Sequence, residues 1–209
     1  MKSREWQRFL ETQQQRHGKK FFTLTELANV ADASRAVIKV EVGRLVRQGV
    51  IVRYSRGNYG LPGAVRPEEL LAELDPFAYI TGAYALNRHN VITQVPTEIT
   101  CFTNRRHNLS RVRQTPAGRF VFVCVSARVY SPPATDLITS PAQALCDFVY
   151  LACRRGVDPR TLATFRRMDR IAGDELGRLI PRYPGTVARA VRRIQLASAF
   201  LLAAVIWAT

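Results

Sequence analysis

Two closely spaced helix-start signals constrain the N-terminal part of the chain most strongly. Thr23, followed three residues later by Glu26, forms a capping box that predicts a helix over residues 24–31. Ser34 can cap a further helix over residues 35–48 by accepting a backbone hydrogen bond. Because only a short turn separates the two, the pattern predicts a helix-turn-helix pair.

The hydrophobic spacing changes from that of a helix to that of a strand after this pair. Residues 50–54 are rich in β-branched side chains, and residues 59–61 can pair back with them through a turn. An amphipathic helix over about residues 4–15 precedes the pair. One helix, a helix-turn-helix and a hairpin, in this order, form a winged helix-turn-helix, which we predict for residues 1–65.

The remainder of the chain, residues 66–209, alternates between helix and strand patterns and predicts a mixed α/β domain. The predicted strands are 97–103 and 119–129, and the predicted helices are 67–74, 81–90, 141–155, 161–168 and 186–207. The helix over 141–155 is expected to be amphipathic. The fold class that follows is α+β: an N-terminal winged helix-turn-helix followed by a mixed α/β C-terminal domain.

The charge of the chain indicates a polyanionic partner. The formal net charge is +15, and the sequence pI is about 10.6. Residues 1–65 contain twelve basic and five acidic side chains, a balance that favours nucleic acid. The alternatives are an anionic membrane surface and a basic surface that only keeps the protein soluble.

Residues on the outer side of the second helix of the pair are the predicted DNA contacts. Its inner face consists of Ile38, Val42, Leu45 and Val46, and that of the preceding helix of Leu27 and Val30. Outward residues near the start of such a helix reach base edges in the major groove, and basic side chains near a hairpin tip contact phosphates. The residues predicted to contact DNA are Arg35, Ala36, Lys39, Arg44, Arg53 and Arg56. The alternatives are a winged helix that binds protein and a solvated charged face.

A second group of arginines lies in the loop between the two strands predicted for the second domain. Four of them fall within nine residues and predict a local anion site: Arg105, Arg106, Arg111 and Arg113. Such a site fits DNA backbone, RNA or an acidic protein surface. A solvated loop without a partner is the alternative.

Signatures of catalysis and of cofactor or metal binding are not found in the sequence. The chain has no G-x-x-x-x-G-K-[ST], H-E-x-x-H or G-x-S-x-G pattern, and no lysine follows Lys39. The four cysteines form no C-x-x-C pair and are expected to be buried free thiols. We therefore predict a cytoplasmic protein that is not an enzyme and needs neither cofactor nor metal.

The C-terminal tail, residues 194–209, is almost wholly apolar. A membrane-spanning helix needs about 20 predominantly apolar residues, and this stretch is shorter. We predict a buried terminal helix and no membrane partner. A tail anchor behind Arg189, Arg192 and Arg193 is the alternative.

Six segments, taken in order, carry a resemblance to a known family. They are residues 22–28 (FTLTELA), 45–51 (LVRQGVI), 59–62 (YGLP), 79–86 (YITGAYAL), 96–100 (PTEIT) and 140–147 (SPAQALCD). In this order the segments resemble the AbiEi family, the antitoxin half of bacterial AbiE type IV toxin–antitoxin systems. The resemblance covers about residues 20–170.

The resemblance implies both a fold and a function. The expected fold is a winged helix followed by an α/β antitoxin domain. The expected partners are double-stranded DNA, bound at inverted repeats in the protein's own promoter, and a nucleotidyltransferase toxin that is counteracted directly or indirectly. Two rival functions are a repressor whose second domain senses a small molecule and a nucleic-acid enzyme with an unfamiliar site.

Overall fold

The computed structural model describes residues 2–107 and 110–207, and for residues 198–207 it describes the helical backbone only. The chain is of the α+β class, with about 49% of residues in helices and 15% in strands. Contacts within the chain divide it into two compact units. The first unit comprises residues 1–76 and 114–118, and the second comprises residues 77–113 and 119–209.

The first unit consists of four helices and a small sheet within its described residues. In chain order its elements are α1 (Ser3–His17), β1 (Phe22–Thr23), α2 (Leu24–Ala31), α3 (Arg35–Arg47), β2 (Val52–Ser55), β3 (Asn58–Gly60) and α4 (Pro67–Leu74). The sheet has the order β1-β3-β2, and both pairs of neighbouring strands are antiparallel. The hairpin β2–β3 therefore follows α3 directly.

Local capping fixes the starts of α2 and α3 where the sequence predicts them. The Thr23 hydroxyl accepts a hydrogen bond from the backbone N–H of Glu26, and the Glu26 carboxylate accepts one from the Thr23 N–H at 2.8 Å. The Ser34 hydroxyl accepts from the Val37 N–H at 3.4 Å. Both predicted caps are confirmed.

The core of the first unit lies between α1, α2 and α3. Trp6 and Leu10 of α1 pack with Leu27, Ile38, Val42 and Leu45, and Val46 is partly buried beside them. The prediction that Val30 is buried is wrong, because this side chain is 44% exposed. Leu27 and Ala28 form the buried side of α2. Viewed along the helix axis, Val30 lies next to Leu27 on the side away from Ala28, and its side chain is therefore exposed to solvent.

Helix α4 has its contacts in the first unit, although the sequence analysis assigned residues 66–74 to the second domain. The Lys20 ammonium lies 2.7 and 2.9 Å from the two carboxylate oxygens of Glu69 in α4. The Asn58 amide of β3 donates to the Glu73 carboxylate at 3.1 Å. Gly60 allows β3 to approach the Lys20 carbonyl so closely that a Cβ atom would collide with it.

The second unit combines a mixed sheet with a cluster of helices. Its elements in chain order are β4 (Tyr79–Ile80), α5 (Gly82–Arg88), β5 (Ile99–Thr103), β6 (Val112–Thr115), β7 (Gly118–Cys124), α6 (Pro141–Arg154), α7 (Pro159–Leu162), α8 (Gly173–Leu179) and α9 (Gly185–Trp207). The sheet order is β4-β5-β7-β6; β4 runs antiparallel to β5, and β5 runs parallel to β7. Residues 114–118, at the turn between β6 and β7, belong to the first unit.

Two predicted elements of this unit differ from the structure. The strand predicted over 119–129 ends at Cys124. The helix predicted over 161–168 is wrong: α7 ends at Leu162, and Phe165 forms an antiparallel bridge with Ile92. Backbone pairing with a distant segment therefore replaces the helical hydrogen bonds that the local pattern predicts.

Helix α6 is the central element of the second unit. Its N-cap is Ser140, whose hydroxyl accepts from the Gln143 N–H at 3.2 Å, and Pro141 occupies its first position. Residues 142–149 are all buried, because α5, α8 and α9 pack around the helix. The helix is therefore covered on more sides than an amphipathic pattern predicts.

Helix α9 begins one residue before the predicted start and packs on α6 through Val187, Val191 and Ile194. The predicted burial of the tail holds for Ile194, whereas Leu196 is 61% exposed. The side chains of residues 198–207, and residues 208–209 altogether, lie outside the described part of the chain. Among the described residues, no helix has the length and apolar character required to cross a membrane.

Candidate nucleic-acid interface and arginine-lined cleft

The outer side of α3 carries most of the residues predicted to contact DNA. Arg35, Ala36 and Lys39 are all exposed. Ala36 lies opposite the buried Ile38, Val42 and Leu45, whereas Arg35 shares their helical spacing and is exposed because it is the first residue of α3. Arg35 is the first residue of the helix, and its first turn contains no acidic residue. A cation at this end is unfavourable to the helix dipole, so Arg35 is not placed there to stabilise α3.

Of the residues at the centre of the exposed side of α3, the predicted DNA contacts include only Ala36. Ala36, Val40, Gly43 and Arg47 follow one another at helical spacing and are all exposed. Val40 is 72% exposed, and Val37 beside it is 59% exposed. Two exposed β-branched apolar residues on an otherwise charged helix are the signal that could have identified this face, since an apolar contact there fits a thymine methyl group.

Arg44 differs from the other predicted DNA contacts. Its guanidinium lies 2.7 Å from the Glu41 carboxylate, three residues earlier on the same helix. Its Nε atom is buried and has no hydrogen-bond partner among the described residues. This side chain is therefore held on the helix surface, and it is less available to an external anion than Arg35 or Lys39.

The hairpin β2–β3 presents the two remaining predicted contacts. Arg53 and Arg56 are exposed, and the Arg53 Nε–H donates to the Ser55 carbonyl at 3.2 Å. The strand pairing shifts between Arg53 and Ser55, and Gly57 at the tip has φ +90°, a value that favours glycine. The turn is thus tight, with both arginines exposed beside its tip.

The four arginines of the predicted anion site lie in the segment that connects β5 to β6 and in the start of β6 itself. Asn108 and Leu109 of this loop are outside the described residues. The Arg105 guanidinium stacks on the Phe77 ring, with its central carbon 3.4 Å from the ring centroid. Arg113 lies over the Phe122 ring at 5.4 Å, and its Nη2 is 3.4 Å from Nδ1 of His107. Aromatic rings therefore support two of the four guanidinium groups.

A cleft of about 490 Å³ opens beside this loop within the second unit. Its lining consists of Arg105, Arg106, His107, Arg111, Phe122, Cys124, Val125 and Ser126. Arg106 and Arg111 are exposed, and the lining contains no Asp or Glu. The cleft brings together three of the four predicted arginines, whereas Arg113 lies beside it.

A buried carboxylate occupies the middle of α6, and the sequence analysis did not single it out. The Thr81 hydroxyl donates to Asp147 Oδ2 at 2.7 Å, and the Tyr183 hydroxyl donates to Oδ1 at 2.6 Å. Thr139 donates in turn to Thr81 at 3.1 Å. Burial raises the pKa of Asp147 to about 7, against the lowering effect of its hydrogen bonds from Tyr183 and Thr81. Since Asp147 is fully buried, its role is to hold elements together rather than to contact a ligand.

The cysteines do not form a metal site within the described residues. Cys101 and Cys146 are buried, as predicted, but Cys153 is only partly buried and Cys124 is exposed. No three His, Cys, Asp or Glu side chains of the described part of the chain converge in a way that would hold a metal ion. Cys124 at the end of β7 is therefore the most accessible of the four thiols.

No protein-family model matches this chain, and no curated protein is significantly similar to it in sequence. The resemblance to the AbiEi family therefore stays a prediction that depends on the segments that carry it. The chemistry of the exposed face of α3 and of the arginine-lined cleft carries the functional argument.

Proposed function

We propose that the protein is a DNA-binding transcriptional repressor that acts on its own promoter through a winged helix-turn-helix in residues 1–65. The observation that carries this proposal is the exposed surface of α3, which presents the basic residues Arg35 and Lys39 together with the apolar Val40. Support also comes from the element order, in which the capped pair α2–α3 is followed by an antiparallel hairpin with basic residues at its tip.

The chemistry of α3 fits the major groove of DNA. Arginine and lysine side chains donate to guanine O6 and N7, and apolar side chains contact the thymine methyl group. Arg35 and Lys39 supply the first kind of contact, while Val37 and Val40 supply the second. We therefore propose inverted-repeat half-sites that contain guanine and thymine under the first turns of α3. No catalytic step, metal or cofactor is part of this proposal.

The hairpin is expected to bind phosphates without regard to sequence. The full chain should bind DNA from upstream of its own gene more tightly than unrelated DNA of equal length. Replacing Arg53 and Arg56 with alanine should weaken both complexes by the same factor. It should also reduce the steepness of the plot of the logarithm of the association constant against the logarithm of salt concentration by about 2. The reason is that about one counterion is released for each phosphate contact. Fluorescence anisotropy across a salt series measures both effects, and an unaltered slope would show that the hairpin does not touch DNA.

We propose further that the second unit counteracts a nucleotidyltransferase toxin in the cytoplasm. The support comes from the segments that carry the resemblance to AbiEi antitoxins, because two of them meet in the core. Thr81, from segment 79–86, donates its hydrogen bond to Asp147, from segment 140–147. The proposed surface for protection is the basic loop that carries Arg105, Arg106, Arg111 and Arg113, since it concentrates positive charge. None of these four arginines is among the described members of that core.

Co-expression of full-length variants with a nucleotidyltransferase encoded next to this gene tests the second role. The chain with Arg35→Ala and Lys39→Ala should still restore growth, because the proposed DNA contacts lie in the other unit. The chain with alanine at Arg105, Arg106, Arg111 and Arg113 should fail to protect while still binding promoter DNA. Full protection by this fourfold variant would show that these four arginines are not needed for the antitoxin function.

A further inference from the structure

A cleft of about 480 Å³ opens where the end of α6 meets the first half of α9. This volume falls within the range of about 300–1,000 Å³ that ligand pockets occupy. The cleft is separate from the arginine-lined cleft, because no residue lines both. All nine residues that line it belong to the described part of the second unit: Cys153, Gly156, Val157, Asp158, Pro159, Thr186, Arg189, Ala190 and Arg193. We name it the α6–α9 cleft.

Two arginines of α9 give this cleft its positive charge. Arg189 and Arg193 are four residues apart, so they lie on the same side of the helix, and both are exposed. Like charges at this spacing destabilise a helix, and α9 contains no Asp or Glu that would offset them. An anion bound between the two guanidinium groups would remove this repulsion.

The lining contains one carboxylate, Asp158, and another arginine already neutralises it. Arg160 Nε lies 3.2 and 3.1 Å from its two carboxylate oxygens, and Arg160 Nη2 lies 2.7 Å from Oδ2. These hydrogen bonds hold the pKa of Asp158 at about 2, with a smaller contribution from Arg193. Asp158 therefore stays ionised, and each carboxylate oxygen has lone pairs that can still accept a hydrogen bond from a ligand hydroxyl.

The rest of the lining is uncharged and contains no aromatic ring. Val157, Pro159 and Ala190 offer apolar surface, and the hydroxyl of the exposed Thr186 can donate as well as accept a hydrogen bond. A nucleobase would find no ring to stack on among these residues, whereas sugar hydroxyls would find polar partners in Thr186 and Asp158. The lining therefore favours a sugar rather than a nucleobase as the group next to the anion.

We propose that the α6–α9 cleft binds a sugar phosphate, with the phosphate on Arg189 and Arg193 and the sugar hydroxyls on Asp158 and Thr186. Guanidinium groups match the geometry of phosphate oxygens and keep their charge at any physiological pH. The sugar phosphate is a bound ligand, and no bond of it is broken. This inference goes beyond the proposed repressor and antitoxin roles and rests on neither of them. It makes the second unit responsive to a small anionic molecule.

Calorimetric titration of the full chain with glucose 6-phosphate, ribose 5-phosphate, glucose, inorganic phosphate and a short single-stranded RNA tests the proposal. At least one of the two sugar phosphates should bind saturably and more tightly than glucose or inorganic phosphate. Arg189→Ala and Arg193→Ala should each weaken this binding about tenfold, because each removes a charge-assisted hydrogen bond. Asp158→Asn should weaken the sugar phosphate about fivefold and strengthen inorganic phosphate, since it removes both a strong acceptor and a negative charge.

A matched control and a second measurement separate the cleft from the general charge of the protein. Arg192→Ala removes an exposed charge from the same helix outside the cleft, and this variant should bind the sugar phosphate as the unaltered chain does. Burial raises the pKa of the Cys153 thiol, which lines the cleft. Saturating sugar phosphate should slow the alkylation of Cys153, followed by mass spectrometry, and leave that of the exposed Cys124 unchanged. Circular dichroism checks that each variant is folded.

Four results would overturn the proposal. The first is the absence of saturable binding by either sugar phosphate. The second is an equal loss of affinity in Arg192→Ala, which would indicate unspecific attraction to a basic protein. The third is protection of Cys124 instead of Cys153, which would assign the ligand to the arginine-lined cleft. The fourth is tighter binding of the RNA than of either sugar phosphate, lost in the Arg189 and Arg193 variants, which would assign the α6–α9 cleft to a nucleic-acid strand.

Discussion

Replacing Arg35 and Lys39 with alanine is expected to abolish sequence-specific binding to promoter DNA while leaving the protein folded. Both side chains are exposed, and neither contributes to the core of the first unit. Loss of base contacts typically costs about 1–3 kcal/mol for each residue, hence about 2–6 kcal/mol for the pair. The helix itself should be no less stable, because alanine favours helix and Arg35 opposes the helix dipole.

Fluorescence anisotropy with the promoter and with unrelated DNA measures this loss, and thermal unfolding followed by circular dichroism checks the fold. The control is the double variant Arg8→Ala and Arg16→Ala, which removes two exposed charges from α1. It should reduce nonspecific attraction only and keep the preference for the promoter. An unchanged promoter preference in the α3 variant would place recognition on another surface.

Asp147→Ala is expected to cause the largest loss of stability in the second unit. The substitution leaves the hydroxyls of Thr81 and Tyr183 buried without their acceptor, and it opens a cavity beside them. A buried group that loses its partner typically costs about 1–3 kcal/mol, so the two hydroxyls together give about 2–6 kcal/mol in the free energy of unfolding. Asp147→Asn keeps an oxygen acceptor at the same place and should lose less. Denaturant unfolding of both variants measures the difference.

The raised pKa of Asp147 also predicts how stability depends on pH. In the unfolded chain this carboxyl ionises near its ordinary value of 3.8, whereas in the folded protein its pKa is about 7. Between these values the unfolded state releases the proton and the folded state retains it, so the free energy of unfolding falls as pH rises from about 4 to about 7. Asp147→Asn should remove this contribution. The same pH profile in the variant and the unaltered chain would assign the dependence to other groups.

Local signals in the sequence are sufficient to predict the helix starts and the hairpin of the first unit, whereas β1 and the place of α4 in this unit were not predicted. The caps at Thr23 and Ser34 depend on atoms within three residues, so the starts of α2 and α3 could be predicted correctly. The exposure of Val30 could not be predicted correctly, because the pattern of an eight-residue helix leaves the position of its buried face uncertain by one residue. The exposure of Arg35 does not follow from helical spacing, because Arg35 lies on the same side as Ile38 and Val42; it follows from the position of Arg35 at the start of α3.

Contacts between distant residues explain the errors in the second unit. The helix predicted over 161–168 is replaced by pairing of Phe165 with Ile92, which the local pattern cannot reveal. The hydrogen bonds of Asp147 join residues 66 and 36 positions away in the chain. The arginines of the cleft were predicted as a group, because they are close in sequence. Their support by Phe77 and Phe122 depends on the tertiary fold.

The hydrogen bonds of Asp147 have a consequence for the dynamics of the second unit. They tie the middle of α6 to the residue before α5 and to the segment that leads into α9. If one of these segments moved away alone, it would leave a buried donor or acceptor without a partner, which is costly. Partial opening is therefore penalised, and the three segments should protect their amide hydrogens from exchange as a single cooperative unit.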